Sequence, residues 1–226
     1  MSIQPPFIIV AVGLAFEARI ARETEAARVC CGRGTEMAAA LSAALGPECC
    51  GILSFGIAGG LDPELRPGAQ LVASAVVVEG GRIPTDEGWS QSLLNSHPFA
   101  IHAPILSVDE AVIDPAGKER LFQRTGAVAV DMESRIAAAV AMKYSLPFAV
   151  LRAVADPANR RVPQSAVSGL RSDGRTDALA VLRGLLRRPA DITGIVGVAC
   201  DAWAARLALS RTPQQLGRGF GIPDFG

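Results

Sequence analysis

Acidic residues at three strand ends carry most of the chemistry this chain offers. Val130-Asp131-Met132-Glu133-Ser134 ends one apolar run, and Leu151-Arg152-Ala153-Val154-Ala155-Asp156 ends another. Glu17 follows a third apolar run, Phe7 to Val12, by about one helical turn. Carboxyls gathered in one cleft support acid–base chemistry and stabilise a developing cation when their surroundings drive their pKa values apart. Each acid alone has an ordinary explanation. Asp131 and Glu133 suit the first turn of a helix, Asp156 before Pro157 suits a turn, and Glu17 suits a solvated helix face. Three separate strand ends delivering carboxyls to one crevice is the less ordinary pattern.

The flanking elements decide whether they meet. Gly126 to Val130 reads as a short buried strand, Glu133 opens an Ala-rich helix running to about Tyr144, and Leu146 to Ala155 reads as the next strand. A strand, a helix and a parallel strand in succession cross over right-handed, which is expected to put both strand ends on one sheet edge and Glu133 and Asp156 in one crevice. Open α/β sheets bind ligands there. Phe7 to Val12 and Cys50 to Phe55 read as strands buried on both faces. Glu17 to Ala27 and Met37 to Leu45 read as helices, and Val29 to Cys31, Leu71 to Val78 and Ile105 to Val108 as further strands. Arg82 to Pro104 lacks periodicity and reads as a long excursion, a candidate active-site loop. Arg160 to Arg175 is loop-like, Asp177 to Arg188 and Asp191 to Ser210 are helix-like, and 216–226 is an irregular tail. The order predicts one α/β domain over residues 1–226, a three-layer α/β/α arrangement around a central mixed sheet.

Composition narrows the classes. Half the residues are hydrophobic, enough for a large core, which excludes disorder. Basic and acidic residues balance at 22 each, so no global field draws the chain to nucleic acid. The five cysteines, Cys30, Cys31, Cys49, Cys50 and Cys200, contain no CxxC, which argues against a zinc site or a disulfide framework and fits a reduced, cytoplasmic protein. His97 and His102 sit in HPFAIH, read as a surface loop, without a ligand cluster. Phe7 to Phe16 is too short to span a bilayer and lacks a basic leader.

Two glycine segments add backbone donors. Gly32-Arg33-Gly34 between a strand and a helix offers N–H groups and a helix N-terminus to an anion. Gly56-Ile57-Ala58-Gly59-Gly60 ends a buried strand and permits close backbone approach to a ligand. It does not match GxGxxG and no helix follows, so a dinucleotide site is not expected.

GLAFEARIA, CGRGTEMAAAL, SFGIAGGLDPELRPGAQLVAS, VDMESRIAAAVA and LRAVAD, in this order, resemble the nucleoside phosphorylase and 5′-methylthioadenosine nucleosidase superfamily. The DMESR variant, the shortened N-terminal part and the Arg-rich C-terminal segment look closest to hopanoid-associated nucleoside phosphorylases. The resemblance implies a phosphorylase/hydrolase-like fold, a homo-oligomer, and release of adenine from a 5′-substituted adenosine. The substrate would be adenosylhopane in hopanoid biosynthesis, with methylthioadenosine or S-adenosylhomocysteine as the alternative and a non-catalytic nucleoside-binding module as the second. It implies no metal or organic cofactor, phosphate as co-substrate only if the bond is cleaved by phosphorolysis, and membrane contact only through a lipid-like substrate.

By resemblance Asp156 is the general acid toward N7, Glu133 holds the ribose hydroxyls, and Met132 lies under the sugar. Asp131, Gly59, Gly60, Ala111 and Val112 line the nucleoside. Glu17 matches the glutamate that activates water in nucleosidases, where phosphorylases place a phosphate-binding arginine. Gly13, Gly32, Arg33, Gly34 and Ile57 surround the water or phosphate, and Arg19 is a further cation for phosphate. Ala111 replaces a stacking aromatic, leaving Phe55 or Trp89 to stack on the base. The missing hairpin after the first helix shortens the rim and makes room for a bulky 5′ group.

Overall fold

The structure, a computed structural model, describes residues 5–163, 192–217 and 219–223. Strand β1 (Phe7–Val12) is wholly apolar because it lies inside a sheet covered on both faces. It runs parallel to β2 (Ala27–Cys31) on one side and β3 (Cys49–Gly60) on the other. Its side chains alternate between two cores. Ile9 and Ala11 pack with Met37 and Leu41 of α2 (Gly34–Ala44) and with Ile136 and Ala137 of α5 (Ser134–Lys143). Ile8, Val10 and Val12 pack with Ile20 of α1 (Ala15–Ala21), Leu93 of α3 (Glu87–Ser96) and Leu209 of α6 (Ile192–Ser210). This gives the single α/β domain expected, a mixed sheet between helical layers.

The remaining strands are β4 (Gln70–Val78), β5 (Gly81–Pro84), β6 (Ile101–Ser107), β7 (Ala129–Asp131) and β8 (Phe148–Asp156). Helix α4 (Pro115–Thr125) precedes β7, and α7 (Thr212–Leu216) follows α6. One expectation fails here. The strands bearing Glu133 and Asp156 do not form a parallel crossover pair: β3 pairs with β8 in parallel and with β7 antiparallel. Because β8 also pairs with β4, β4 with β6, and β6 with β7, five strands close a ring. The long strand β3 is the shared wall. A register shift at Ala58/Gly59 turns its end so that Gly59 pairs with Val130 on one side and Asp156 on the other. The two acidic segments still converge, through β3 rather than through a common direction.

The segment read as an active-site loop is mostly ordered structure elsewhere, carrying β5 and α3. His97 is buried at the end of α3 with Nδ1 3.1 Å from Leu93 O, not on a surface loop. The helix read at Asp177 to Arg188 lies outside the described residues. Among those residues no helix is long and apolar enough to cross a membrane.

Candidate active site

A cavity of about 500 Å³ opens where β1, β3, β7 and β8 end. Its wall includes Gly13, Glu17, Arg33, Ile57, Gly59, Ala111, Val112, Asp131, Met132, Glu133 and Asp156. Of the residues singled out in the sequence, Gly32, Gly34 and Gly60 are not in that wall. Arg19 is exposed and takes no part. Phe55 and Trp89 do not reach the cavity. Both are fully buried in the core, Phe55 edge-on to Phe220 and Trp89 donating from Nε1 to Phe220 O at 2.8 Å.

Glu17 is the third residue of α1, and its carboxylate turns back over the helix start. Gly13 N–H and Leu14 N–H donate to Oε2 at 2.9 and 2.8 Å, and Ile57 N–H of β3 donates to Oε1 at 2.7 Å. Three backbone donors thus form an anion nest that the protein fills with its own carboxylate. Burial nevertheless pushes the Glu17 pKa up to about 7. The Arg152 guanidinium opposes that rise and the charge of Glu133 adds to it. Ile57 contributes its backbone N–H here, and its side chain is apolar.

Arg152 was not singled out as a site residue, yet it organises the acids. It sits in mid-β8, fully buried, opposite Gly56. Nη2 lies 2.7 Å from Asp131 Oδ2, 3.6 Å from Glu133 Oε2 and 2.7 Å from Ser54 Oγ. Burial alone would lower its pKa. Asp131, Glu133 and Glu17 more than offset that and keep it charged. Ser134 bridges the group, bonding Asp131 and Ser54. Asp131 therefore lines the cavity while its carboxylate is directed away into this buried pair. A charged residue in an apolar strand was the available signal, because such a charge requires an anionic partner.

Glu133 precedes α5 and is also raised, chiefly by burial; Arg152 opposes the shift and Asp131 adds to it. Arg33 Nε, 4.0 Å from Glu133 Oε1, makes no hydrogen bond among the described residues. Asp156 is raised by burial as well, and Lys118 Nζ, 2.5 Å from Oδ2, works against that rise. Around these acids the wall is apolar. Val108, Ala111, Val112, Ile113, Val162, Leu14, Phe16, Val198, Ala199 and Ala202 all line it.

Two glycines permit this crowding. A Cβ on Gly13 would lie 2.4 Å from Glu133 Oε1, and one on Gly56 (φ 151°) would lie 2.4 Å from Glu17 Oε1 and 2.6 Å from Arg152 Nη1. Gly56→Ala is expected to cost about 1–3 kcal/mol of stability through overpacking. It should also displace Glu17, so activity should fall further than the thermal melt alone explains.

A mixed, partly closed sheet that gathers three buried carboxyls and an arginine around a small-molecule cavity defines a nucleosidase- or phosphorylase-type enzyme. The chain belongs to the phosphorylase superfamily, whose family model matches residues 11–188. A Helicobacter pylori 5′-methylthioadenosine/S-adenosylhomocysteine nucleosidase variant solved with 5′-methylthioadenosine in its active site is 19% identical, covering 81% of this chain and 100% of its own, with a TM-score of 0.63. The Campylobacter jejuni nucleosidase is 17% identical over 88% and 99%, TM-score 0.61. The futalosine hydrolase of Helicobacter pylori is 18% identical over 92% and 98%, TM-score 0.63. At such identities these likenesses show the fold. The finer resemblance to hopanoid-associated phosphorylases has no counterpart among these relatives, and no curated protein matches the chain.

Proposed function

We propose that the chain hydrolyses the N-glycosidic bond of a 5′-substituted adenosine of the methylthioadenosine type, releasing adenine. The observation that carries hydrolysis is the Glu17 carboxylate seated on the N–H groups of Gly13, Leu14 and Ile57. Those donors would otherwise suit a phosphate, and a carboxylate already there repels one. The same group, with a pKa near 7, is matched to taking a proton from water at neutral pH.

Glu133 is assigned to the ribose hydroxyls, where its charge faces the oxocarbenium-like sugar as the bond breaks. Met132 gives an apolar contact beneath the ring. Asp156, whose pKa burial raises, protonates N7 so that adenine leaves neutral. The apolar part of the cavity wall is assigned to the base.

The solved relatives that carry methylthioadenosine or its analogues favour a small 5′ group. One observation favours a larger one: the cavity lining includes Leu14, Phe16, Val198, Ala199 and Ala202, an apolar surface that suits a long hydrocarbon such as that of adenosylhopane. Adenine release from methylthioadenosine and from adenosines with long 5′-alkyl chains separates these readings. A higher kcat/KM for the small substrate is expected, and a strong preference for the long chains would move the assignment to the lipid-like nucleoside. Asp156→Asn is expected to lower kcat by on the order of 10²–10⁴, with KM little changed, because it removes the proton donor. Unchanged turnover in that variant would remove Asp156 from the mechanism.

A further inference from the structure

Helix α6 supplies Val198, Ala199 and Ala202 to the cavity wall, and a side chain from outside the helix ties it in place. Arg160 belongs to the turn that directly follows Asp156, where its N–H donates to Pro157 O at 3.0 Å. Its guanidinium reaches α6 and donates from Nε to Asp201 Oδ2 at 2.8 Å. Asp201 has only 11% of its side chain exposed, so losing this cation would leave a largely buried carboxylate without it. It is the only acid between Ile192 and Ser210. The other charged residue of that helix, Arg206, lies over the rings of Phe16 and Trp203 instead.

A second observation falls on the same contact. Gly197 lies one helical turn before Asp201, inside a helix, where glycine is the poorest residue after proline. Its backbone is helical and does not itself call for glycine. Space does: a Cβ there would lie 2.7 Å from Arg160 Nη1 and 3.2 Å from Cζ. The glycine clears a seat for the guanidinium beside the carboxylate one turn on. The far side of the Arg160 turn is held by α4, where Lys118 Nζ donates to Asp156 Oδ2 and Pro157 O. Val162, two residues after Arg160, donates its N–H to Ile113 O at 2.8 Å, and both residues line the cavity. Arg160 thus links the turn that carries one part of the wall to the helix that carries another.

We propose that Arg160 and Asp201, seated against Gly197, form a latch that fixes α6 as a wall of the cavity and so sets how tightly the nucleoside is held. Both are positioning residues, and neither lines the cavity. The inference rests on the cavity being the nucleoside site, as proposed above. A wall fixed before the ligand arrives needs no ordering on binding, which lowers KM without touching the bond-breaking step.

The test measures KM and kcat for adenine release from methylthioadenosine in Arg160→Gln, Asp201→Asn, their double variant and Gly197→Ala. Asp201 also gives a small upward push to the Asp156 pKa, so KM rather than kcat is the reading. Arg160→Gln should raise KM on the order of 10-fold, with kcat within about threefold of the unaltered protein. The double variant should be no worse than Arg160→Gln. A KM equal to the product of the two single effects would mean that the residues act separately, and would overturn the latch. Gly197→Ala is the sharper arm, because alanine strengthens the helix while pushing the guanidinium off its seat. KM should rise about fivefold although α6 is then the better helix. An unchanged or lower KM in that variant would show that helix stability alone matters, and would contradict the proposal.

Hydrogen exchange of the ligand-free protein supplies a readout without turnover. In Arg160→Gln the amides of residues 198–205 in α6 should exchange about 10-fold faster, with those of β3 unchanged. Equal acceleration in both elements, or none in α6, overturns the latch. If the unaltered protein releases no adenine, the proposed function fails, and the exchange result still decides whether the pair fixes α6.

Discussion

Glu17→Gln is expected to lower kcat for adenine release by about 10²–10⁴ while leaving the fold intact. The amide keeps one acceptor oxygen, enough for Gly13 and Leu14 N–H, while its NH2 faces the Ile57 N–H, and it cannot take a proton from water. The pH profile supplies the sharper evidence. Burial raises the Glu17 pKa to about 7, and the base must be ionised to act. In the unaltered protein kcat/KM should therefore fall about tenfold per pH unit below pH 7. That acid limb should vanish in Glu17→Gln. Persistence of the limb would assign it to another group, with Glu133 the next candidate because burial raises it too.

The same shift has a stability consequence of definite sign. Between the ordinary glutamate range near 4.5 and about 7, folded Glu17 holds a proton that the unfolded chain releases. The folded state binds more protons in that window, so Glu17's contribution to stability weakens as pH rises through it.

Arg152→Met is expected to have the largest effect on the fold. It leaves Asp131, whose carboxylate is fully buried, without its cation 2.7 Å away, and removes the same charge from Glu133 and Glu17. Breaking a buried pair in this way costs about 3–5 kcal/mol. For a domain of this size that corresponds to a fall in Tm on the order of 10 °C. The loss should be greatest at alkaline pH and smaller toward pH 5, where the orphaned carboxyls take up protons. Combining it with Asp131→Asn should recover part of the lost stability, because the most buried anion is then gone. Equal Tm losses in Arg152→Met with and without Asp131→Asn would show that the pair is not the source.

The fold was largely legible because its strands are continuous apolar runs punctuated by glycine and acid. Phe7–Val12 and Phe148–Asp156 appear in the sequence nearly as they appear in the sheet. Direction was not legible. A three-residue strand such as Ala129–Asp131 carries no signal for running antiparallel to β3, since pairing direction depends on ring closure by β4, β6 and β8. Among site residues, acids at strand ends were visible and their partners were not. Arg152 was readable in principle as a charge inside LRAVAD. Lys118 was not, because PAGKERLFQRT has the composition of a solvated helix and only the tertiary contact with Asp156 buries it. Phe55 and Trp89, expected to stack on the base, are core residues outside the cavity wall, because an aromatic near a glycine turn serves a core as readily as a ligand.

In the proposed reaction, water prepared by Glu17 attacks the anomeric carbon. Cleavage of methylthioadenosine in phosphate-free buffer containing H₂¹⁸O tests it most directly, with the sugar product read by mass spectrometry. Free 5-methylthioribose carrying one ¹⁸O, formed at a rate unchanged by added phosphate, is the predicted result. A sugar 1-phosphate without label, formed only when phosphate is present, would contradict it.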